Sequence, residues 1–570
     1  MLNCLYKAVF FLFMFVLTPF VAIAQEADFR PAPEVETGFN ERYTSFGSQF
    51  MASTAHPLAT RAAFDILAQG GTAVDAMIAA QVMLGLVEPQ SSGLGGGAFA
   101  LYYHAADGKL YSFDARERAP FRADPKMFLG ANGKPMEFYE AVMTGHSIGV
   151  PGVPRLLEGM YDLYGRSPWP DLFESAIKLA REGFEVSPRL AAQIKAEVEA
   201  ERTTPDFNNY FKTSNGGYVR AGDVLTNPDY ARTLNAFANG THRQFYEGIF
   251  SQKIWEKAQS VGGTLSAQDF SYYVVRKRQP VCGPYRSYIV CSMGEPSSGG
   301  LTILQALGML ERFPLGEWGV ENPKSWHVIA EASRFAFADR NKYIADPDYV
   351  DTPGVMLIEP EYLKERSAII NENVTQPEYY PGEPKQEEGT THISIIDRYN
   401  NVISMTSSIE SAFGSHHMAN GYFLNNQLTD FSFEPRDEAG KLIANRVEPG
   451  KRPRSSMSPV IVFDKSGAPF LVIGSAGGSR IIGYVLQRII SVIDWGMEIQ
   501  TALDMPNIIA RGPTLEFENI ILPDFPDALK AFGHEVEVGP QNSGLTAIRV
   551  IDSGFLGASD PRREGKAMGR

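Results

Sequence analysis

Residues 390–408 constrain the fold more than any other stretch. Ile393 and Ile395 alternate with Thr390, His392 and Ser394 at a period of two, the pattern of a strand. Asp397-Arg398-Tyr399-Asn400-Asn401 reads as a turn, and Val402 to Ser408 as the returning strand. A hairpin folded about Tyr399 sets Ser394 opposite Ser404, His392 opposite Thr406 and Thr390 opposite Ser408. Ile393 then meets Met405, and Ile395 meets Ile403. One register yields an apolar face and a polar face, and a slip of one residue would exchange them. Such a pair must lie on a core, with Thr390 at its open end beside a hydroxyl. On its own, the pattern describes an ordinary half-buried hairpin.

The 570-residue chain is long enough for several domains or for one large layered unit. Its 44% apolar and 21% charged residues suit a soluble globular protein with ample core. The net charge of −14 and the lack of a Lys/Arg run exclude a basic footprint for nucleic acid. Residues 1–24 carry one charge, Lys7, then an apolar run from Ala8 to Val21, then Ala22-Ile23-Ala24 before Gln25. That is the pattern of a secretory signal peptide; the rival is an uncleaved anchor, and the Ala-x-Ala end favours cleavage. No later stretch is apolar for long enough to span a bilayer. Periplasmic or secreted location follows. Cys4 departs with the signal, and Cys282 and Cys291 remain, as a disulfide or as two buried thiols. Two cysteines with no close His cluster argue against zinc, and no cofactor or metal is expected.

In chain order, Gln25 to Gly47 reads as a lead-in. His56–Gly70 and Thr72–Leu86 read as two helices split by Gly70-Gly71. Gly93-Leu94-Gly95-Gly96-Gly97 precedes a strand pattern, Ala98 to Tyr103, rather than the helix a dinucleotide loop requires, so it predicts a tight backbone crossing. Asp107-Gly108 turns that strand into Leu110–Ala115, which delivers Arg116 to a strand end. Residues 176–270 are helix-rich. Pro296-Ser297-Ser298-Gly299-Gly300 leads into a helix at Leu301, a plain start or an anion site. Asn371 to Glu388, rich in Glu and Pro, resembles a solvated linker, which is odd directly before a buried strand unless the chain is cut there. Val460–Phe463 and Phe470–Ile473 form a second hairpin. Arg480–Val492 is an amphipathic helix, and Thr514–Leu522 and Thr546–Ile551 are late strands. Hairpins and helices in blocks predict two antiparallel sheets covered by helices, an α+β layout.

The runs Gly389-Thr390-Thr391-His392-Ile393-Ser394, Asn425-Asn426-Gln427-Leu428-Thr429-Asp430, Arg454-Ser455-Ser456-Met457-Ser458-Pro459 and Gly474-Ser475-Ala476-Gly477-Gly478-Ser479 occur in this order. Together they resemble the gamma-glutamyltransferases, which are N-terminal nucleophile hydrolases. The resemblance runs from about Phe46 to the C-terminus. It implies the four-layer αββα sandwich and self-cleavage between Gly389 and Thr390. The products would be a large subunit, 25–389, and a small catalytic subunit, 390–570. Arg116 matches the arginine that holds the donor α-carboxylate, together with Ser455 and Ser456. Gln427, Asp430 and Glu410 would hold the ammonium, Gly477 and Gly478 the oxyanion, and Ser408 would orient the nucleophile. Three departures stand out. Position 410 is usually Asn and 429 usually Asp, and the loop from Phe431 to Pro453 lacks the tyrosine that lids the pocket in many relatives.

The chemistry fits these residues. A threonine hydroxyl needs an adjacent base, and a freed α-amine, with an ordinary pKa of about 7.7–8.0, supplies one. His392 stands two residues along the strand, too far for a dyad, and reads as a packed strand residue. Gly at 389 leaves the attacked carbonyl unshielded. Implied substrates are glutathione and other γ-glutamyl compounds, with amino acids, dipeptides or water as acceptors. The rivals are a glutaryl-β-lactam acylase on the same scaffold and a binding protein without catalysis. An acid pair at 410 and 430 suits a donor with an ammonium, which glutaryl lacks.

Overall fold

The computed structural model describes residues 38–240, 243–380, 390–518 and 524–570. The expected signal peptide, most of the lead-in, Gly389 and residues 519–522 of the expected late strand lie outside these. The register of the central hairpin is the one the alternation dictates: Thr391–Ile396 pairs antiparallel with Val402–Ser408, Ser394 against Ser404 and His392 against Thr406. It is not half-buried, however. Every residue of both strands is buried, because both faces of the hairpin are covered.

The hairpin lies inside a seven-stranded sheet in the spatial order Lys566–Gly569, Met51–Thr54, Thr391–Ile396, Val402–Ser408, Gly97–His104, Lys109–Ala115, Arg276–Arg278. A second seven-stranded sheet runs Ser45–Gly47, Gly554–Ser559, Thr546–Ile551, Pro469–Gly474, Val460–Phe463, Tyr288–Ser292, Val281–Tyr285. All pairings in both are antiparallel. Ile393, Ile395, Ile403 and Met405 pack with the helices Pro57–Ala68 and Ala73–Val87. Val460, Val462, Leu471 and Ile473 pack with Gly299–Leu310, Pro323–Tyr343 and Arg480–Ile493. Helix, sheet, sheet and helix thus stack as the four-layer αββα sandwich. The described residues form one unit, and both sheets draw strands from either side of residue 390.

The polar face of the hairpin points at the other sheet. Ser394 Oγ donates to the Thr546 carbonyl at 3.3 Å and Ser404 Oγ to the Ile473 carbonyl at 3.3 Å. His392 Nδ1 lies 2.9 Å from Thr406 Oγ1. Its ring covers Gly474, where a Cβ would come within 2.3 Å of the imidazole. Burial pushes His392 down to about 3, so it is neutral. It packs as expected and takes no part in a dyad.

Other expectations resolve plainly. Cys282 and Cys291 are register partners on the edge hairpin and form a disulfide. The glycine run is a close crossing: Cβ atoms at Gly95 and Gly96 would lie 2.1 Å from the Phe423 carbonyl oxygen and 2.0 Å from that of Ser408. The loop at 296–300 is a plain helix start, with the Ser298 amide given to the Ser455 carbonyl at 2.8 Å. Thr514–Glu518 joins neither large sheet. It pairs with Ile508–Ala510 and, in parallel, with Glu535–Gly539, because Leu515 and Phe517 cap the outer helix layer.

Gly474→Ala should lower unfolding stability by about 1–3 kcal/mol by forcing a methyl between the sheets. Gly159, within the helix Val153–Tyr164, has open space around its Cβ position, and Gly159→Ala should stabilise by about 0.4–1 kcal/mol. Denaturant titration of both variants checks this; a neutral Gly474→Ala would mean that the sheets are looser than described.

Candidate active site

The strand Lys109–Ala115 carries Asp114 one residue before its end, and the Asp114 carboxylate accepts the Arg116 amide at 2.9 Å and so fixes where Arg116 emerges. Its side chain runs inward. Nε donates to the Pro453 carbonyl at 3.2 Å, Nη2 to the Arg454 carbonyl at 2.7 Å, and Nη2 also to Asp430 Oδ2 in a short contact. Gln427 and Asp430 occupy one short turn, Gln427–Asp430. The Gln427 amide donates to Glu410 Oε2 at 3.1 Å and to Asp430 Oδ2 at 2.7 Å, so each acid has a donor and bare repulsion is avoided. The preceding asparagines brace this turn: Asn425 donates to the Gly95 and Gly149 carbonyls, and Asn426 to Ser411 Oγ and Thr429 Oγ1. Thr429 thus serves the turn itself.

Glu410 has φ of +82°, in the left-handed region that costs a non-glycine residue. Its amide donates to Ser408 Oγ at 2.8 Å. Thr390, 2% exposed, precedes the first strand of the hairpin, and its carbonyl accepts from Arg563 Nη1 at 3.3 Å. Continuing the register by one step pairs it with Ser408. Gly477 and Gly478, at φ +124° and +61°, turn the chain into the helix Arg480–Ile493. Among the described residues neither amide has a protein acceptor, and both stand at the positive end of that helix.

One small cleft collects nearly all of them: Arg116, Thr390, Ser408, Glu410, Gln427, Asp430, Ser455, Ser456 and Gly478 line it, with Met457 and Ile481. Gly477 is one residue away. No residue of 431–453 lines the cleft; Phe431 and Phe433 pack instead on Phe128 and Phe138.

Two residues have contacts that the sequence did not assign. Arg340 donates from Nε to Ser298 Oγ at 2.8 Å and from Nη2 to Ser456 Oγ, and so orients the serine pair. The run Ala338-Asp339-Arg340 in the long helix, typical of the family, was the available signal. Glu117 is fully buried, its carboxylate 3.9 Å from Arg116 Nη1. Burial pushes it up to about 8 against the pull of Arg116. Elsewhere, His327, Glu331 and His534 offer ligand atoms within 4.8 Å of one another. Arg334 can only donate, so His534 Nδ1 accepts from it at 3.0 Å. His534 Nε2–H then gives to His327 Nδ1 at 2.8 Å, and His327 Nε2–H to the Asn371 carbonyl at 2.8 Å. Every ring nitrogen is committed and a guanidinium adjoins the cluster, so it is a brace and does not suit a metal.

The gamma-glutamyltranspeptidase family model matches residues 59–570. The chain belongs to the gamma-glutamyltranspeptidase family. It is 35% identical to a glutathione hydrolase proenzyme of Bacillus subtilis over 547 residues, covering 92% of each chain. Among solved structures it resembles a cephalosporin acylase from Bacillus halodurans, with a TM-score of 0.83 at 27% identity over 95% of this chain and 99% of that one. It also resembles the Helicobacter pylori gamma-glutamyltranspeptidase, with a TM-score of 0.55 at 32% identity over 62% of this chain and 97% of that one. Within this family scaffold, the two groups expected to hold opposite ends of a zwitterion, Arg116 and Asp430, pair with each other.

Two measurements follow. Glu410→Gln should weaken γ-glutamyl donors by about 1.5–3 kcal/mol, roughly tenfold or more in kcat/KM, with little effect on glutaryl donors. An unchanged ratio between donors would place Glu410 outside recognition. The second concerns pH. The folded pKa of Glu117 lies above its ordinary 4.5, so its contribution to stability is complete below pH 4.5 and lost as pH rises through about 8. Above that, ionised Glu117 competes for Arg116. KM for a carboxylate donor should therefore rise from pH 7 to 9 more steeply in wild type than in Glu117→Gln; parallel profiles would contradict this.

Proposed function

We propose that the protein is an exported, self-cleaving γ-glutamyl hydrolase and transferase acting on glutathione and related γ-glutamyl amides. The observation that carries this reading is the single cleft in which Thr390 meets a charge pair, Arg116 and Asp430, matched to a zwitterionic acyl group. In the uncut chain, Thr390 Oγ attacks the Gly389 carbonyl, the C–N bond breaks to leave an ester and a free α-amine on Thr390, and water opens the ester to release the Gly389 carboxylate. In turnover that amine takes the hydroxyl proton, Thr390 Oγ bonds the carbonyl carbon of the γ-amide, and the C–N bond breaks as the leaving amine takes that proton. Water or an acceptor amine then opens the ester. Gly477 and Gly478 amides stabilise the oxyanion at both tetrahedral stages, while Ser408 orients the nucleophile. Arg116, Ser455 and Ser456 hold the α-carboxylate, and Glu410, Gln427 and Asp430 hold the ammonium. No metal or cofactor enters.

The subunits 25–389 and 390–570 would remain together, since their strands interleave in both sheets. The signal pattern at 1–24 supports periplasmic or secreted location, and among the described residues no helix is long and apolar enough to cross a membrane. With no tyrosine in 431–453 to lid the cleft, water competes well with acceptors, and hydrolysis should exceed transfer. The acylase alternative, supported by the likeness to the cephalosporin acylase, is disfavoured by the acids at 410 and 430.

Thr390→Ala should yield one uncut chain with no turnover, where wild type gives two fragments, the smaller beginning Thr-Thr-His-Ile-Ser. N-terminal sequencing and gel analysis decide it. Efficient cutting of the variant, or a cut elsewhere, would refute self-processing at this bond.

A further inference from the structure

The Gly477–Gly478 turn is buried. Beneath it lies Tyr484, whose ring would come within 2.7 Å of a Cβ at Gly477 and whose hydroxyl donates to Gln541 Oε1 at 2.8 Å. Arg511, which bonds the next residue, Ser479, lines a larger cleft with Arg334, Asn341, Tyr379 and Glu535 among others. Two glycines at positive φ have no side chains of their own to hold their peptide planes in one orientation.

What restrains them is ionic. Arg511 Nη1 donates to Ser479 Oγ at 2.6 Å. The same guanidinium gives Nε and Nη2 to Glu516 Oε1 at 2.8 and 2.6 Å. The other oxygen, Oε2, takes Nε of Arg480 at 2.6 Å. One carboxylate therefore ties down both residues that follow the glycines. Glu516 is 6% exposed. Burial works against its charge, but Arg511 and Arg480 outweigh it and hold the carboxyl below its usual range. Glu516 comes from Thr514–Glu518, the strand that belongs to neither large sheet, and Arg511 from the turn before it.

We propose that Glu516, through Arg511 and Arg480, is a positioning residue that fixes the Gly477–Gly478 amides for the oxyanion. The inference rests on the reading of those amides given above. A fixed donor pair costs no reorganisation when charge develops, whereas a turn free to swing would have to be ordered at each turnover.

The test uses Ser479→Ala, Arg511→Met, their double variant and Glu516→Gln in the full chain, with γ-glutamyl-p-nitroanilide as donor and activity expressed per mole of released small subunit. Each single variant should lose about tenfold or more in kcat with KM within about twofold. The double should be no worse than the poorer single, since both act along one path. Unchanged kcat per active site, or effects of Arg511 and Ser479 that add in full, would overturn the proposal. A crystal structure of Ser479→Ala should show the Gly477–Gly478 peptide planes displaced, and unmoved planes would overturn it independently of activity. If wild type cleaves no γ-glutamyl donor, the functional reading fails and this structural comparison alone decides the clamp.

Discussion

The molecule depends on the register of one buried hairpin. Because Ser394 pairs with Ser404 and His392 with Thr406, Ile393, Ile395, Ile403 and Met405 face the helices, and His392, Ser394, Ser404 and Thr406 face the second sheet, with Ile396 and Val402 packing there at the far end. The inner face would be costly if its hydroxyls were unpaired. Ser394 and Ser404 instead donate to carbonyls of the opposing strands, and His392 lies over a glycine that leaves room for its ring. These contacts fix the two sheets relative to each other. Thr390 at the end of one sheet thereby comes to line one cleft with Gly478, which follows the strand Pro469–Gly474 of the other. A one-residue slip would bury the isoleucines between the sheets and carry Thr390 away from the cleft.

The second constraint is charge. Arg116, Glu117, Glu410 and Asp430 are all buried within one small region. Asp430 and Gln427 share one short turn, Arg116 leaves a strand end, and Glu410 sits at a strained φ. Arg116 and Asp430 satisfy each other in the cleft, and under the proposed function a donor with both charges matches both. The scaffold, which resembles that of a cephalosporin acylase, does not by itself decide the donor.

Much of this was legible in the sequence. Period-two alternation gave the hairpin and its register, and the strands at 97–104, 109–115, 460–463 and 546–551 followed from hairpin signals and apolar runs. The order of four short motifs gave the cleft. What escaped depends on contacts distant in sequence. Arg340 reads as one helical arginine among many until Ser298 and Ser456 fold onto it. Glu117 looks like a surface partner for Arg116, yet it is wholly buried. Propensity places Thr514–Glu518 as a strand but cannot say which sheet receives it, and its role is visible only when Glu516 meets Arg480 and Arg511. The cysteine pair was undecidable from spacing and is settled by facing positions on an edge hairpin.

The central claim is that Thr390 carries the acyl group and that the cleft admits it as a zwitterion. Rapid-quench mass spectrometry of the mature protein tests this most directly, with glutathione and a glutaryl amide offered in parallel. The account predicts one γ-glutamyl group on the peptide beginning at Thr390 from glutathione, and far less acylation from the glutaryl donor. Label on another residue, or equal acylation by both donors, would contradict it.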